Sequence, residues 1–360
     1  MMINAITVKM LVTFPRNLVQ YCANAAPLAV IYSTAVALAL FWLIRRVYFT
    51  KSTIIGEARR LGGNTAAIFT GIAVFATLVL NILPIMRTFP EIIRLVLLQK
   101  TYVEIIAFAL ILVLIFGASC SIESIARVHE FFLPVSGIVF FAFIIMLIPN
   151  FKTDNLFPVF GTGIMDILTK GISAMSIFTD ILALNIMIPY TKELDNYRKA
   201  GTKAILTGGV CSLLIILSYT FCYAYPASKN FIIPVYQLER LVNLSDFFSR
   251  LESLFQFIWS ISILLYISMY IWVLAAVFKE TFYLPHKKPL IAPIVLFLSG
   301  TAFICETLSE IISFEEQITR WIYIPAFIIP MFIGIVSHET FKRKSNPKGN
   351  VRSMSRDGRQ

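Results

Sequence analysis

Ile167-Leu-Thr-Lys-Gly-Ile-Ser-Ala-Met-Ser-Ile-Phe-Thr-Asp-Ile-Leu-Ala-Leu-Asn-Ile-Met-Ile188 is long and apolar enough to cross a bilayer, yet its centre does not read as a plain helix. A spanning helix needs about 20 mainly apolar residues. Small and hydroxyl side chains gather here between Gly171 and Thr179, and a carboxylate, Asp180, follows inside the span. Backbone freed at a break in such a helix can be satisfied by a cavity, a ligand or Ser/Thr side chains. The plainer alternative is that Ser and Thr merely pack helix on helix. An ionisable group at membrane depth favours the site.

Working outward, nine more apolar stretches fill the chain at about 3–14, 25–44, 66–95, 103–120, 131–148, 203–224, 251–278, 290–308 and 318–337. The sequence is 58% hydrophobic and 14% charged, with 31 phenylalanines and a mean hydropathy of +0.79. An all-α integral membrane protein of about ten transmembrane helices is expected. The loop from Pro149 to Asp166 divides the stretches into two groups of five, which suits a 5+5 inverted-repeat, transporter-like fold. One transmembrane domain would then cover 1–338, with halves of about 1–148 and 166–338. The basic tail 339–360 lacks an apolar face and is expected to be disordered.

The net charge of +11 is an orientation signal. With the amino end in the cytoplasm, 20 of the 31 Lys and Arg fall in inner segments and nine in outer ones. That is the positive-inside bias, with both ends cytoplasmic, and it attracts anionic membrane lipid. A nucleic-acid partner is not expected. The five cysteines form no pair with metal-site or redox spacing, and neither HExxH nor a Walker loop occurs. Neither a metal, a cofactor nor an enzymatic activity is expected. The three histidines fall in inner loops or at span ends, and no charged leader marks a cleavable signal peptide.

Inverted-repeat logic makes the first helix the mate of 167–188, but only 14 residues precede Pro15. Either the true start lies upstream or this copy has lost half a helix. Lys9 therefore has two readings. It sits near mid-membrane, standing in for a coupling cation or facing a carboxylate, or it snorkels to the surface. In 66–95, Asn81, Pro84 and Arg87 follow at three-residue spacing; Pro84 should bend the span, and Asn81 is a ligand or interhelix contact. Arg87, Glu91 and Arg94 should form a charge cluster at the outer mouth, each worth little if solvated. Lys170 should snorkel, and 235–248 reads as an amphipathic surface helix, a candidate lid.

Four stretches in order carry a family resemblance: Arg87-Thr-Phe-Pro-Glu-Ile-Ile93, Ile122-Glu-Ser-Ile-Ala-Arg127 with Pro134, Asn155-Leu-Phe-Pro-Val-Phe-Gly161, and Arg250-Leu-Glu-Ser-Leu-Phe-Gln-Phe-Ile-Trp259. Together they resemble the B subunit of spore germination receptors, permease-like members of the amino acid–polyamine–organocation transporter superfamily. The resemblance runs from about Lys9 to the tail. Tyr102 stands where a proline would open the fourth helix. The implied protein is a membrane subunit of a spore germinant receptor in the spore inner membrane. It would bind a small germinant such as an amino acid, alongside A-type and C-type subunits. An ion-coupled amino-acid or polyamine transporter is the alternative, and a ligand-opened channel is a weaker third reading. The resemblance places ligand contacts at the breaks of helices one and six and on the facing helices three and eight. It picks out Lys9, Met10, Asn81, Ser173, Ser176, Thr179 and Ser260. A zwitterion at mid-membrane needs donors for its carboxylate and acceptors for its ammonium, which half-helix ends and unwound carbonyls supply. Phe178 and Trp259 would exclude water, with plain packing as the simpler role for each.

Overall fold

The computed structural model of the 360-residue chain describes residues 1–11, 14–48, 51–231, 233–242 and 249–345. Among these no β-strand occurs, and helices carry nearly everything. In chain order they are α1 (Met2–Leu11), α2 (Phe14–Cys22), α3 (Ala26–Val47), α4 (Ile54–Val96), α5 (Val103–Ser119), α6 (Ile122–Leu147), α7 (Ile164–Thr169), α8 (Ile181–Ile186), α9 (Leu194–Cys222), α10 (Pro234–Leu241), α11 (Ser249–Thr281), α12 (Lys288–Ala302), α13 (Leu308–Thr319) and α14 (Tyr323–Ser345). Six stretches among the described residues are helical, long and apolar enough to cross a bilayer: Phe14–Val47, Ile54–Val96, Ile122–Asn150, Leu194–Cys222, Phe255–Thr281 and Leu308–His338. The chain is a multi-pass membrane protein. Large apolar side chains such as Phe116, Phe131, Ile138 and Phe332 point outward, as lipid contact requires.

Local chemistry sets the helix ends. Thr53 caps α4 by accepting from the Gly56 amide at 3.0 Å. Ser121 caps α6 in the same way through the Ser124 amide at 3.2 Å. At α13, Thr307 accepts from the Glu310 amide while the Glu310 carboxylate turns back to the Glu306 amide, at 3.2 and 3.0 Å. That reciprocal arrangement satisfies two otherwise orphaned donors. Pro27 and Pro289 sit in the first turns of α3 and α12, where the missing N–H costs nothing.

The core gathers around α11, which is buried nearly all round from Ile263 to Val277 and packs against α4, α5, α6 and α12. A helix apolar on every side belongs in the middle of a bundle. On the other flank α3 packs on α9, and α1 lies between α9 and α11. Gly208 of α9 lets α1 come close, since a Cβ there would stand 2.3 Å from Cγ2 of Ile6.

Several boundaries differ from the sequence expectation. Residues 167–188 are not one helix: α7 gives way to a tight helical turn over Gly171–Phe178, and α8 resumes only at Ile181. The expected opening near Ser173–Thr179 is present. In α4 the departure from helical geometry lies at Gly62 and Gly63, the latter at φ +70°, while Pro84 and Pro90 sit within the helical run. Residues 54–60, between the second and third apolar stretches, form the start of α4. The last apolar stretch divides into α13 and α14 around 320–322, and α14 continues to Ser345 into the expected tail. The surface helix expected over 235–248 ends at Leu241, and 243–248 lie outside the described residues, as do 346–360. His129, expected in a loop or at a span end, is buried in the second turn of α6, with Nδ1 2.8 Å from the Ile125 carbonyl.

Candidate functional site

α1 and α8 bring a cation and an anion together in the middle of the bundle. Lys9 Nζ lies 2.9 Å from Asp180 Oδ1, and both side chains are buried. The ammonium also donates to Thr179 Oγ1 at 2.7 Å, Asn81 Oδ1 at 3.0 Å and the Ser176 carbonyl at 3.4 Å. Of the two expectations for Lys9, the carboxylate-facing one describes the structure. A lysine with one acidic partner and three neutral oxygens is well solvated by protein, which membrane burial demands.

Asn81 on α4 is the hub of this cluster. Its carbonyl oxygen accepts from Lys9, and its amide nitrogen donates to Asp180 Oδ1 at 3.1 Å and to the Tyr270 hydroxyl. Tyr266, one helical turn from Tyr270 on α11, donates to the same Asp180 oxygen at 3.2 Å. Asp180 Oδ1 thus takes three partners, while buried Oδ2 meets no protein donor among the described residues. The Thr179 hydroxyl is within reach of the Ser176 carbonyl at 2.7 Å and of Asn81 Oδ1 at 3.0 Å. The cluster ties α1, α4, the 171–180 segment and α11 at one point. A cavity of about 50 Å³ adjoins it, bordered by Lys9, Asn17, Asn81, Ser176 and Glu315. Asn17 on α2 is buried, and its Oδ1 has no protein partner among the described residues.

Four of the seven residues singled out from sequence therefore come together: Lys9, Asn81 and Thr179 by side chain, Ser176 by its carbonyl. Three do not. Met10 faces away from the Lys9 cluster, neighbouring residues on a helix pointing about 100° apart. It takes a weak hydrogen bond from Ser212 Oγ and borders a separate apolar cavity of about 430 Å³ between α1, α6, α9 and α11. Trp259 borders that cavity too, not the Lys9 cluster. Ser173 turns its hydroxyl back to the Lys170 carbonyl at 2.6 Å, closing its own turn. Ser260 is partly exposed on α11, well before Tyr266, which is the residue that reaches Asp180. Phe178 is fully buried beside the break.

Tyr266, Tyr270 and Asn17 were missed. Two tyrosines at i, i+4 inside an apolar span are a legible signal, because a buried phenol seeks a partner. Asn17 carried no such mark.

The charged cluster expected on α4 is present, and its Arg87–Glu91 pair is buried rather than solvated. Arg87 is 3% exposed and Glu91 6%. Arg87 donates to the carbonyls of Cys305 and Glu306 at 3.1 and 2.9 Å and to Glu91 at 2.8 Å, while Arg94 holds the other Glu91 oxygen at 2.9 Å. It locks the α12–α13 connection onto α4. Glu239 on α10, within the segment expected as an amphipathic surface helix, is buried and accepts from Gln256. Lys170 stays at the surface in a pair with Asp166 at 2.9 Å.

A buried ion pair beside the interrupted 171–180 segment, in a bundle of long apolar helices, belongs to a multi-pass membrane protein with a polar centre. Residues 1–314 match the family described as "Spore germination protein", and the chain belongs to that family. Three Bacillus subtilis (strain 168) proteins are similar to it. Spore germination protein B2 is 21% identical over 175 residues, 48% of this chain and 48% of that protein. Spore germination protein YndE is 30% identical over 131 residues, covering 36% and 35% of the two chains. Spore germination protein A2 is 22% identical over 272 residues, covering 74% and 71%. The matched part thus spans about half of the first relative and about a third of the second.

Proposed function

We propose that this chain is a membrane subunit of a germinant receptor, binding a small germinant of amino-acid type where α1 meets the interrupted 171–180 segment. The observation that carries the reading is the Lys9–Asp180 pair, with Asn81, Thr179 and the Ser176 carbonyl around it. Such a cluster offers ammonium, hydroxyl, amide and carboxylate groups at membrane depth to a zwitterion. Binding there would favour one arrangement of the four elements that meet at Asn81 over another. Differential affinity for two conformations is all that signalling requires; no solute need cross.

In this reading the chain makes ten crossings as two inverted five-helix halves, about 1–148 and 166–338, with both ends cytoplasmic. It lies in the spore inner membrane beside A-type and C-type receptor subunits and catalyses no reaction. Membership of a germination family supports the setting, and the interruption at 171–180 is what the repeat would place there. A second reading, an ion-coupled amino-acid or polyamine transporter, draws on Lys9 itself, whose ammonium occupies the place beside Asp180 that a coupling cation would take.

Germination of spores lacking this chain, tested against a panel of L-amino acids, separates these readings. Loss of response to one or more amino acids is expected. An unchanged panel, with lowered uptake of a labelled amino acid into vesicles, would support the transporter instead.

A further inference from the structure

A second polar feature lies away from this cluster, where the last turns of α3, the first turns of α9 and the later turns of α14 leave a groove of about 990 Å³. Arg45 and Arg46 border it from α3, and Arg198, Lys199 and Lys203 from α9, with His338 on α14. Asp195 is the one carboxylate among its described lining residues, and it is taken by Lys199 at 2.6 Å. Among the described residues Arg45 reaches the Thr202 hydroxyl and Arg198 the Tyr48 carbonyl, each at 3.4 Å. Arg46 stacks over the Trp42 ring at 3.9 Å. The same groove has an apolar wall, since Trp42 is 41% and Ile335 47% exposed.

A groove that is cationic at one edge and apolar at the other matches a molecule built the same way. We propose that it binds the phosphodiester headgroup of an anionic membrane phospholipid, the phosphate among Arg46, Arg198 and Lys203 and the acyl chains along Trp42 and Ile335. Guanidinium forks suit phosphate oxygens, and basic pockets between membrane helices are suited to acidic headgroups. Trp42 stands where interfacial aromatics anchor a helix. Occupancy would brace α3, α9 and α14 against one another. Those helices pack on the interrupted segment, α3 against 171–178 and α14 against α8, so the lipid would steady the frame around Asp180.

The test uses the full chain, purified in mild detergent and followed by native mass spectrometry. The probes are dioleoylphosphatidylglycerol, dioleoylphosphatidylcholine and inorganic phosphate. Phosphatidylglycerol adducts should exceed phosphatidylcholine adducts at equal concentration, and phosphate should not displace them. In an Arg46→Gln, Arg198→Gln, Lys203→Gln variant, affinity for the anionic lipid should fall by about fivefold for each cation removed. An Arg127→Gln, Lys279→Gln, Lys288→Gln variant, with the same charge change elsewhere, should keep it. Should the first variant fail to fold, Lys203→Gln alone should still lose about fivefold. Equal binding of the two lipids, displacement by phosphate, or equal loss in both triple variants would each overturn the proposal.

Discussion

Lys9 Nζ and Asp180 Oδ1 stand 2.9 Å apart, one on the first helix and the other just before α8, each almost fully screened from solvent. Neither group alone is tolerable at that depth. An isolated buried charge keeps its desolvation cost without the attraction that offsets it. The pair therefore constrains how α1 and the 171–180 segment sit, and Asn81 makes α4 and α11 party to it.

Breaking the pair from one side should be far worse than removing both charges. Asp180→Asn leaves the Lys9 ammonium uncompensated and should lower stability by about 3–5 kcal/mol. Lys9→Met combined with Asp180→Asn should recover most of that loss. Thermal unfolding of Asp180→Asn, Lys9→Met and the double variant in one detergent measures the cycle, and equal destabilisation of single and double variants would show that the charges do not depend on each other.

The legibility of this site followed its chemistry. Asp180 and Lys9 stand out in sequence because ionisable groups in apolar stretches are rare, and the hydroxyl run before Asp180 marked the break correctly. Ser173, Ser176 and Thr179 could not be told apart, since the tight turn over Gly171–Phe178 decides which faces Lys9, and that turn is set by contacts with α2 and α3. Met10, picked out through the resemblance beside Lys9, meets Ser212 and the apolar cavity instead. Arg87 and Glu91 misled for the opposite reason: their spacing reads as an exposed pair, and only the carbonyls of Cys305 and Glu306, over 200 residues later, make the site a buried one.

Arg87 should hold the α12–α13 connection closed. Arg87→Ala removes two charged hydrogen bonds to main-chain carbonyls and should cost about 1.5–3 kcal/mol. Lysine cannot reproduce the fork, so Arg87→Lys should rescue poorly. Cys305 provides the readout: maleimide labelling there should quicken in both variants, and an unchanged rate would show the connection is held by other contacts.

Gly208 should set the distance between α1 and α9. A Cβ at this position would meet Ile6 Cγ2 at 2.3 Å, so Gly208→Ala should cost about 1–3 kcal/mol by overpacking. Ile6→Ala in the same chain should restore stability in detergent melts. A persisting deficit would mean that the alanine disturbs α9 itself rather than its contact with α1.

Orientation follows from the basic bias of the connecting segments. A reporter active only in the cytoplasm, fused after Gln360, should be active, as both ends are expected on that side. Activity of a periplasm-type reporter alone at this junction would reverse the inside and outside of the bundle.

The receptor reading also implies company. Purification in mild detergent from spore membranes should recover an A-type subunit with this chain, drawn in part by complementary charge on the basic segments. Recovery of this chain alone, with full germination after deletion of the partner genes, would count against a complex.

The most direct measurement is the germinant concentration giving half-maximal germination in spores carrying Thr179→Val or Ser176→Leu, with protein abundance checked by immunoblot. Both changes leave the Lys9–Asp180 pair in place. The first deletes a hydroxyl that contacts Lys9 and Asn81, and the second fills the wall of the adjoining cavity. An unpaired buried polar group costs about 1–3 kcal/mol, so the half-maximal concentration should rise by roughly 5- to 150-fold at normal abundance. An unchanged response in both variants would contradict the account and leave the cluster as a structural tie between helices.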